Sequence, residues 1–227
     1  MPAEPTPEEI EQCRPEDIVY ETYKCEEELA ELTALVDKEL SEPYSVFTYR
    51  FFVNYWPKLT IIARFKGVAV GVIMAKIEPD IKNRRRGYIG MLVVDPRYRG
   101  KRIGTNLARL EIVSMQQQGA DLIVLETECT NHTALKLYEQ LGFVRSKQLN
   151  AYYMNGASAY RLKFWCRHYP GLGADGDYVE EDEARTAAEA AATLTASAAA
   201  AATAATVTDT HMAQDATAVA AEPEAAK

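Results

Sequence analysis

Apolar and polar positions repeat along the chain with two different periods, and each change of period marks a predicted element. Residues 18–23 (IVYETY) alternate, which predicts a first strand. Over residues 26–40, leucines recur at helical spacing opposite a face of acidic side chains, which predicts an amphipathic helix. The aromatic run that follows, YSVFTYRFFVNYW, predicts a second, shorter helix that ends before Pro57.

The middle of the chain predicts a sheet. Two apolar runs, LTIIARF and VAVGVIMAKI, flank Lys66 and Gly67, which is typical of a β-hairpin. Residues 88–95 (YIGMLVVD) are almost wholly apolar, which predicts a central strand buried on both faces. A helix is predicted between that strand and the next apolar run, DLIVLE, and one apolar stripe defines it. The stripe consists of Ile103, Leu107, Leu110 and Val113.

The remaining pattern predicts one short helix and two strands. TNHTALKLYEQLG has Thr or Asn as a cap at its start and Gly142 after its end, as helices do. FVRSKQLNAYYM and ASAYRLKFW are strand-like, and Asn155 and Gly156 between them predict a tight hairpin. The resulting order is β, α, α, β, β, β, α, β, α, β, β, which predicts a mixed α/β (α+β) domain.

Composition assigns this domain to residues 16–170. Residues 1–15 are rich in Pro and Glu, and we expect a flexible acidic N-terminus there. Residues 171–227 form an Ala-rich, low-complexity stretch with no aromatic side chain after Tyr178, so we expect a disordered tail. The part between them has the usual size of one domain.

Charge and rare residues exclude several classes of protein. A formal net charge of -8 argues against a nucleic-acid binder. The four cysteines match no zinc or redox pattern and only three histidines are available, so we expect reduced thiols and no metal. The sequence shows no signal peptide and no apolar run long enough to span a bilayer, so we expect a soluble, cytoplasmic protein that does not bind membranes.

One strongly basic stretch interrupts the acidic chain. Residues 82–102 hold eight Lys or Arg residues against a single acid, Asp95. The second half of this stretch is a turn between the predicted central strand and the following helix. Because the N–H groups at a helix N-terminus are unpaired and carry partial positive charge, such a turn suits phosphate oxygens. Gly100 and Gly104 would let a ligand approach the backbone, and we expect a diphosphate.

Several blocks of the sequence resemble a known family. Residues 99–104 (RGKRIG) resemble the acyl-CoA pyrophosphate loop of the GCN5-related N-acetyltransferase (GNAT) family, with Arg102 where that family usually has its first Gly. Residues 91–94 (MLVV) resemble its splayed strand. SEPYS with YRFFVNYWP, RRGYIGMLVVDPRYRGKRIG, LETECTNHTALKLYEQLGFVR and YYMNG are similar to the catalytic subunits of NatC N-terminal acetyltransferase complexes.

The resemblance implies a fold and a reaction. The fold would be a central, twisted, mostly antiparallel sheet with a splayed acyl-CoA-binding strand pair, flanked by helices. The reaction would transfer acetyl from the cosubstrate acetyl-CoA to the α-amine of proteins that start with Met followed by a large hydrophobic residue. The implied partners are a large scaffold subunit, a small Sm-like subunit, nascent polypeptide N-termini and the ribosome.

The resemblance also implies the residues that bind acetyl-CoA. The splayed strand would pair with pantetheine as an added strand would. The basic turn would hold the diphosphate, and the helix after DLIVLE would contact the pantetheine arm and the thioester. The implied residues are Met91, Leu92, Val93, Val94, Arg99, Gly100, Lys101, Arg102, Ile103, Gly104, Thr105, Asn131, Ala134 and Tyr138.

Acetyl transfer to an amine requires a base for the amine and a proton for the leaving thiolate. An α-amine has a pKa of about 7.7–8.0, so a modest base suffices. Glu126, at the end of a buried strand, is the candidate base, acting through water; Glu128 shares its face and is the weaker candidate. Tyr138 is the candidate proton donor to the thiolate. It follows Asn131 by nearly two helical turns, so both can line one helix edge.

The substrate-binding residues are predicted mainly from the resemblance. Glu42 and Tyr44 match residues that contact the substrate N-terminus, and a carboxylate there could meet a cationic amine. Tyr88, Tyr152 and Tyr153 would provide aromatic walls for an apolar N-terminus. Because side chains alternate along a strand, we expect only one of the last two to face the pocket.

Alternatives remain at this stage. The chain could acetylate lysine or small amines, or it could be a non-catalytic acyl-CoA-binding scaffold, although the presence of Glu126 and Tyr138 argues against the scaffold. Residues 82–86 could serve CoA, a partner or ribosomal RNA. The sequence also leaves open whether the chain acts without auxiliary subunits, its second-residue preference, the role of the tail, and whether Glu128 shares the role of base.

Overall fold

A computed structural model describes residues 3–39, 44–80 and 83–166 of the chain. The predicted tail and Glu42 lie outside the described residues. The strands are β1 (Ile18–Thr22), β2 (Thr60–Phe65), β3 (Val68–Pro79), β4 (Arg85–Val94), β5 (Leu122–Glu128), β6 (Val144–Leu149) and β7 (Ala159–Trp165). The helices are α1 (Pro7–Gln12), α2 (Glu27–Glu39), α3 (Val46–Tyr55), α4 (Ile103–Gln117) and α5 (His132–Gln140). Single 3-10 turns occur at Pro15–Asp17, Pro57–Leu59 and Pro96–Tyr98.

The strands form one seven-stranded sheet in the order β1-β2-β3-β4-β5-β7-β6. Every neighbouring pair is antiparallel except β4 and β5, which are parallel. Helices α2 and α3 pack on one face, with Leu32 and Tyr49 fully buried. Helices α4 and α5 pack on the other, with Leu107 and Leu135 in the core. The predicted mixed α/β architecture with a mostly antiparallel sheet is therefore confirmed.

The central strand β4 differs from its prediction, because only every second residue is buried. Its register with β3 passes from Met91 directly to Ile89, so Gly90 is the extra residue of a β-bulge. The bulge changes which face the strand presents: Ile89 packs on the side of α4, and Met91 packs on the side of α2 and α3. A Cβ on Gly90 would lie 2.6 Å from Phe52 Cζ, so only Gly fits there.

The ladder between β4 and β5 is short. It pairs Arg86, Gly87 and Tyr88 with the first three residues of β5 and then stops. The rest of β4, through Val94, is paired with β3 alone. The two parallel strands thus separate toward their C-terminal ends, which leaves one edge of the β4 backbone open beside a cavity.

Helix α4 buries the first half of the predicted stripe, Ile103 and Leu107, but not the second half. Leu110 and Val113 are 39% and 43% exposed. The buried positions at this end of the helix are instead Glu111, Ile112 and Met115. Steps of three residues fall short of a full turn of 3.6 residues, so the predicted stripe turns away from the sheet along the helix. The correction places a glutamate inside the core.

The N-terminal segment is more ordered than its composition predicts. Thr6 caps α1, and the Glu9 side chain accepts a hydrogen bond from the Thr6 N–H at 2.8 Å, which completes a capping box. Ile10 and Cys13 are buried in the core on the side of α4. Lys101 Nζ donates to the Cys13 carbonyl at 2.7 Å. The capping box and these two buried side chains hold the segment against the domain, although its composition is acidic and rich in proline.

Strands β6 and β7 are neighbours, but the tight hairpin predicted at residues 155–156 does not form. The strands are joined by an irregular loop in which Ala151 has a positive φ of 48°. The N–H groups of Tyr152 and Tyr153 both donate to the Ala157 carbonyl, at 3.0 and 3.1 Å. Both tyrosines therefore lie outside the alternation of a strand. No helix in the described part of the chain is both long and apolar enough to cross a membrane.

Candidate active site

A cavity of about 900 Å³ lies where β4 and β5 separate. Its walls come from β4, the basic turn, the start of α4, the end of β5, α5 and the loop between β6 and β7. The predicted site residues in its lining are Tyr44, Tyr88, Met91, Leu92, Val93, Val94, Arg99, Gly100, Arg102, Ile103, Gly104, Glu126, Glu128, Asn131, Ala134, Tyr138, Tyr152 and Tyr153. Residues far apart in sequence thus meet in one space.

The basic turn presents its backbone to the cavity. Arg102 has φ 60° and ψ 13°, the left-handed conformation that costs a non-Gly residue roughly 1–2 kcal/mol. Gly100 has φ 79°, and nothing lies within 4 Å of where its Cβ would be. The first hydrogen bond of α4 runs from the Asn106 N–H to the Arg102 carbonyl. The N–H groups before Asn106 are therefore available to a ligand, as predicted for an anion site.

Gly104 has a packing role as well. A Cβ at this position would lie 3.3 Å from Leu137 Cδ1 and 3.6 Å from Val94 Cγ2. The small residue thus allows the start of α4 to approach both α5 and β4. This close approach fixes the unpaired N–H groups next to the open edge of β4.

Most cations of the turn are already paired. Arg97 binds Asp95 at 2.8 Å and Glu4 at 2.9 Å, and these carboxylates raise the pKa of Arg97. Arg99 donates to Glu39 at 2.6 Å and to the Val94 carbonyl at 3.1 Å.

Two predicted residues of the turn, Lys101 and Thr105, do not line the cavity. The Lys101 ammonium contacts backbone carbonyls of the N-terminal segment instead. Arg102 does line the cavity, and it forms no ion pair with another described residue. The backbone N–H groups and Arg102 are therefore the groups of the turn that remain for an anion.

Helix α5 supplies a polar edge to the cavity. The predicted cap is confirmed, because the Asn131 side chain accepts a hydrogen bond from the Ala134 N–H at 3.0 Å. Tyr138 is buried, and its ring meets that of Phe143 at 5.3 Å between centroids in an edge-to-face contact. Burial raises the pKa of Tyr138 above that of a free phenol. A hydroxyl of this kind donates hydrogen bonds and rarely ionises.

A buried ion pair lies at the other side of the cavity. Glu126 on β5 and Arg161 on β7 are partners in the antiparallel register. Arg161 Nε donates to Glu126 Oε1 at 2.7 Å, and each side chain is only 6% exposed. Glu126 Oε2 is buried and has no hydrogen-bond partner among the described residues. Glu128, further along β5, is half-buried and accepts a hydrogen bond from Thr130 Oγ1 at 3.3 Å.

Three phenols interact with the Glu126 carboxylate, those of Tyr88, Tyr152 and Tyr153. Burial raises the pKa of Tyr88, and the Glu126 carboxylate raises it further. The same two causes raise the pKa of Tyr152 to about 12. Tyr152 and Tyr153 both line the cavity, with ring centroids 5.2 Å apart, so the expectation that only one would face it is wrong. The loop conformation described above explains the difference.

Sequence reasoning missed several residues of the site. Arg161 was not predicted, although an arginine within the apolar run AYRLKFW is an unusual residue for a strand interior. Glu39, which was not predicted either, lines the cavity and pairs with Arg99. The described residues include no group of three or more His, Cys, Asp or Glu side chains placed to hold a metal ion.

The comparison with known families identifies the class of protein to which this fold and cavity belong. The acetyltransferase (GNAT) family matches residues 20–143, and the chain belongs to this family. Within it, the chain is 47% identical over 163 residues to N-alpha-acetyltransferase 30 of Homo sapiens, which covers 72% of this chain and 45% of that protein. It is 43% identical over 153 residues to N-alpha-acetyltransferase 30 of Saccharomyces cerevisiae, covering 64% and 87%.

A solved structure supports the same relationship. The chain is similar to a chain of the NatC complex bound to Gag peptide and CoA, with a TM-score of 0.64 and 42% identity. The match covers 66% of this chain and 98% of that one. The chain spans about half the length of the animal relatives that it matches.

Proposed function

We propose that the protein is an N-terminal α-acetyltransferase of the NatC type, which transfers acetyl from acetyl-CoA to polypeptides that start with Met and a large hydrophobic residue. The observation that carries the proposal is the single cavity joining the open edge of β4 and the start of α4 to Glu126, Tyr138 and several tyrosines. The names of the similar proteins support this choice of reaction.

The cofactor end fits acetyl-CoA. The open edge of β4 offers backbone N–H and C=O groups to the amides of pantetheine, which would bind as an added strand. The unpaired N–H groups at the start of α4 and the Arg102 guanidinium would hold the diphosphate. Asn131 and Ala134 would contact the pantetheine arm along α5. These contacts would place the thioester between Glu126 and Tyr138.

The reaction requires one proton to leave the amine and one to reach the thiolate. The amine nitrogen would attack the thioester carbonyl and form a C–N bond, while Glu126 accepts its proton directly or through one water. The C–S bond then breaks, Tyr138 donates a hydrogen bond to the departing sulfur, and the thiolate takes its proton from water. Because burial raises the pKa of Tyr138, its phenol is protonated when the thiolate forms.

The peptide end would be recognised by burial of apolar side chains. Tyr44, Tyr88, Tyr152 and Tyr153 line this end of the cavity, and aromatic walls suit Met followed by Leu or Phe. Burying one such side chain contributes about 1.5–3 kcal/mol, which suffices to discriminate against Ala. We keep Glu42, outside the described residues, as a proposed contact of the incoming amine.

The partners belong to the same proposal. The similar structure is that of a NatC complex, which supports a role in a complex. From the family resemblance, the chain would act with a large scaffold subunit and a small Sm-like subunit. Its substrates would be nascent chains at the ribosome, in the cytoplasm. The acetyltransferase domain would comprise residues 16–170.

A peptide panel tests the function. The protein, alone and with its partner subunits, is incubated with acetyl-CoA and peptides that begin Met-Leu, Met-Phe or Met-Ala, and with an N-terminally blocked peptide containing lysine. We expect Met-Leu and Met-Phe to react faster by roughly 10-fold or more, the range that one apolar pocket provides. Equal rates for Met-Ala or lysine would contradict the substrate class. Binding of CoA without turnover of any peptide would indicate a non-catalytic scaffold.

A further inference from the structure

Arg161 and Glu126 contact each other through one defined pair of atoms. The two residues are directly opposite in the antiparallel ladder of β5 and β7, so their side chains leave the sheet on the same face. Arg161 uses its Nε on one carboxylate oxygen, Oε1, at 2.7 Å. The other oxygen, Oε2, is left without a hydrogen bond although it is buried and its residue lines the cavity.

Among the described residues, Arg161 is the cation that pairs with Glu126. The Tyr88 phenol on β4 and the Tyr152 and Tyr153 phenols of the loop between β6 and β7 interact with the Glu126 carboxylate. Tyr44, which precedes α3, interacts with Tyr88, and Glu128 on β5 interacts with Tyr153. A buried carboxylate requires a cation or hydrogen-bond donors beside it to compensate the loss of water.

We propose that Arg161 is a positioning residue for the reaction: it places a positive charge beside the buried Glu126 carboxylate and occupies Oε1, so that Oε2 is the one oxygen presented to the amine proton. This inference rests on the proposed acetyl transfer. Arg161 itself does not reach the reacting atoms. It acts through the carboxylate that accepts the proton, while the C–N bond forms and the C–S bond breaks as described above.

The guanidinium is better suited to this role than an ammonium. Its N–H groups are fixed in a plane, so a bond from Nε sets the orientation of the carboxylate as well as its charge. A lysine could supply the charge alone. Arg161→Lys and Arg161→Gln therefore separate the two contributions.

The first test is the pH dependence of kcat/KM with acetyl-CoA and a Met-Leu peptide. In Arg161→Gln we expect kcat/KM to fall by about 10-fold or more at pH 7. The acidic limb of the pH profile should move to higher pH by one unit or more, roughly the effect of losing a close opposite charge. Arg161→Lys should restore the position of the limb but only part of the rate. The KM for acetyl-CoA should stay unchanged in both variants.

Arg64→Gln is the matched control. Arg64 is a buried arginine on β2 that pairs with Glu21, Glu28 and Glu31, away from the cavity. Its loss should lower the melting temperature and leave the pH profile in place. If the acidic limb of the Arg161→Gln profile lies at the same pH as that of the wild type, the inference is overturned.

A second measurement does not need activity. In Arg161→Gln the unpaired Glu126 should bind its proton more tightly in the folded than in the unfolded chain. The stability of Arg161→Gln would then fall more steeply from pH 5 to 8 than that of the wild type, and the double variant Glu126→Gln/Arg161→Gln should not show this additional fall. Equal slopes in the two variants would refute the role of Arg161. A wild type that acetylates no peptide would refute the proposed function, while the slopes would still decide this inference.

Discussion

Within the described residues, the buried side chains of Glu126 and Glu111 have very different surroundings. Glu126 has a guanidinium 2.7 Å away, and it borders a cavity lined by tyrosines. Glu111, on the inner face of α4, is fully buried, and neither of its oxygens has a hydrogen-bond partner in the described part of the chain. Burial alone raises the pKa of Glu111 well above its ordinary value of 4.5.

Burial of an acidic side chain therefore does not by itself indicate a functional site. Glu111 has no cation beside it and does not line the cavity, so its burial affects folding and not chemistry. At Glu126 a neighbouring cation, a free oxygen and a cavity occur together. The following predictions test this difference, beginning with the largest expected effect.

Glu126→Gln should lower kcat/KM for a Met-Leu peptide by about 100-fold or more, the usual contribution of a general base. The amide cannot accept the amine proton, but it keeps the shape of the side chain. Affinity for CoA, measured by calorimetry, should be nearly unchanged. Glu111→Gln is the control from the other region and should leave kcat/KM close to that of the wild type. Equal activity of Glu126→Gln and wild type would remove the proposed base.

Tyr138→Phe should lower kcat by roughly 10-fold to 100-fold, because the thiolate would depart without a donor. The ring still packs on Phe143, so stability and CoA affinity should change little. Tyr20→Phe is the control: the Tyr20 hydroxyl accepts a hydrogen bond from Asn106 at 3.1 Å and lies outside the cavity lining. If both variants lose the same small fraction of kcat, Tyr138 has no role as a hydrogen-bond donor to the thiolate.

Glu111→Met should increase the free energy of unfolding by about 1–3 kcal/mol at pH 8, because it removes a buried group that lacks partners. The raised pKa means that the folded chain holds this proton more tightly than the unfolded chain. The stability from the protonated acid is complete below pH 4.5 and is lost as the pH rises toward the raised value. Urea unfolding at pH 5 and pH 8 measures the difference. A variant less stable than the wild type at pH 8 would show that Glu111 has a partner in solution.

A chain that ends after residue 170 should show the smallest effect, a change in kcat/KM of about two-fold or less, equivalent to roughly 0.4 kcal/mol. The cavity is built from residues before that point. In this shorter chain, Glu126→Gln should still lower kcat/KM, and Glu111→Met should still increase the free energy of unfolding. A large loss of activity would show that residues 171–227 contribute to catalysis or to binding of the peptide.

Local signals in the sequence predicted the local structure well. The cap of α5 depends on Asn131 and the next three residues, and it forms as expected. The hairpin at Lys66 and Gly67 is also local, and both residues adopt the positive φ that such a turn requires. The start of α4 followed from a strand, a turn and a helix that are adjacent in sequence, whereas the open strand edge was implied by the family resemblance.

The sequence did not predict which distant segments pair with each other. β7 lies between β5 and β6, so the register that places Arg161 opposite Glu126 depends on strand order and not on any local pattern. The bulge at Gly90 changes the faces of β4 without a signal in its apolar residues. No local signal in the sequence indicates that Glu111 is buried, because the direction of α4 relative to the sheet decides which residues of the helix are buried.

The pairing of the basic turn has a consequence for how fast a polyanion would associate. Arg97 and Arg99 are matched by carboxylates, and the Lys101 charge is directed toward backbone carbonyls. Neutralised pairs produce little field beyond a Debye length, about 8 Å at physiological salt. Capture of a diphosphate would therefore depend on short-range contacts made after collision, and its rate would be only weakly sensitive to ionic strength.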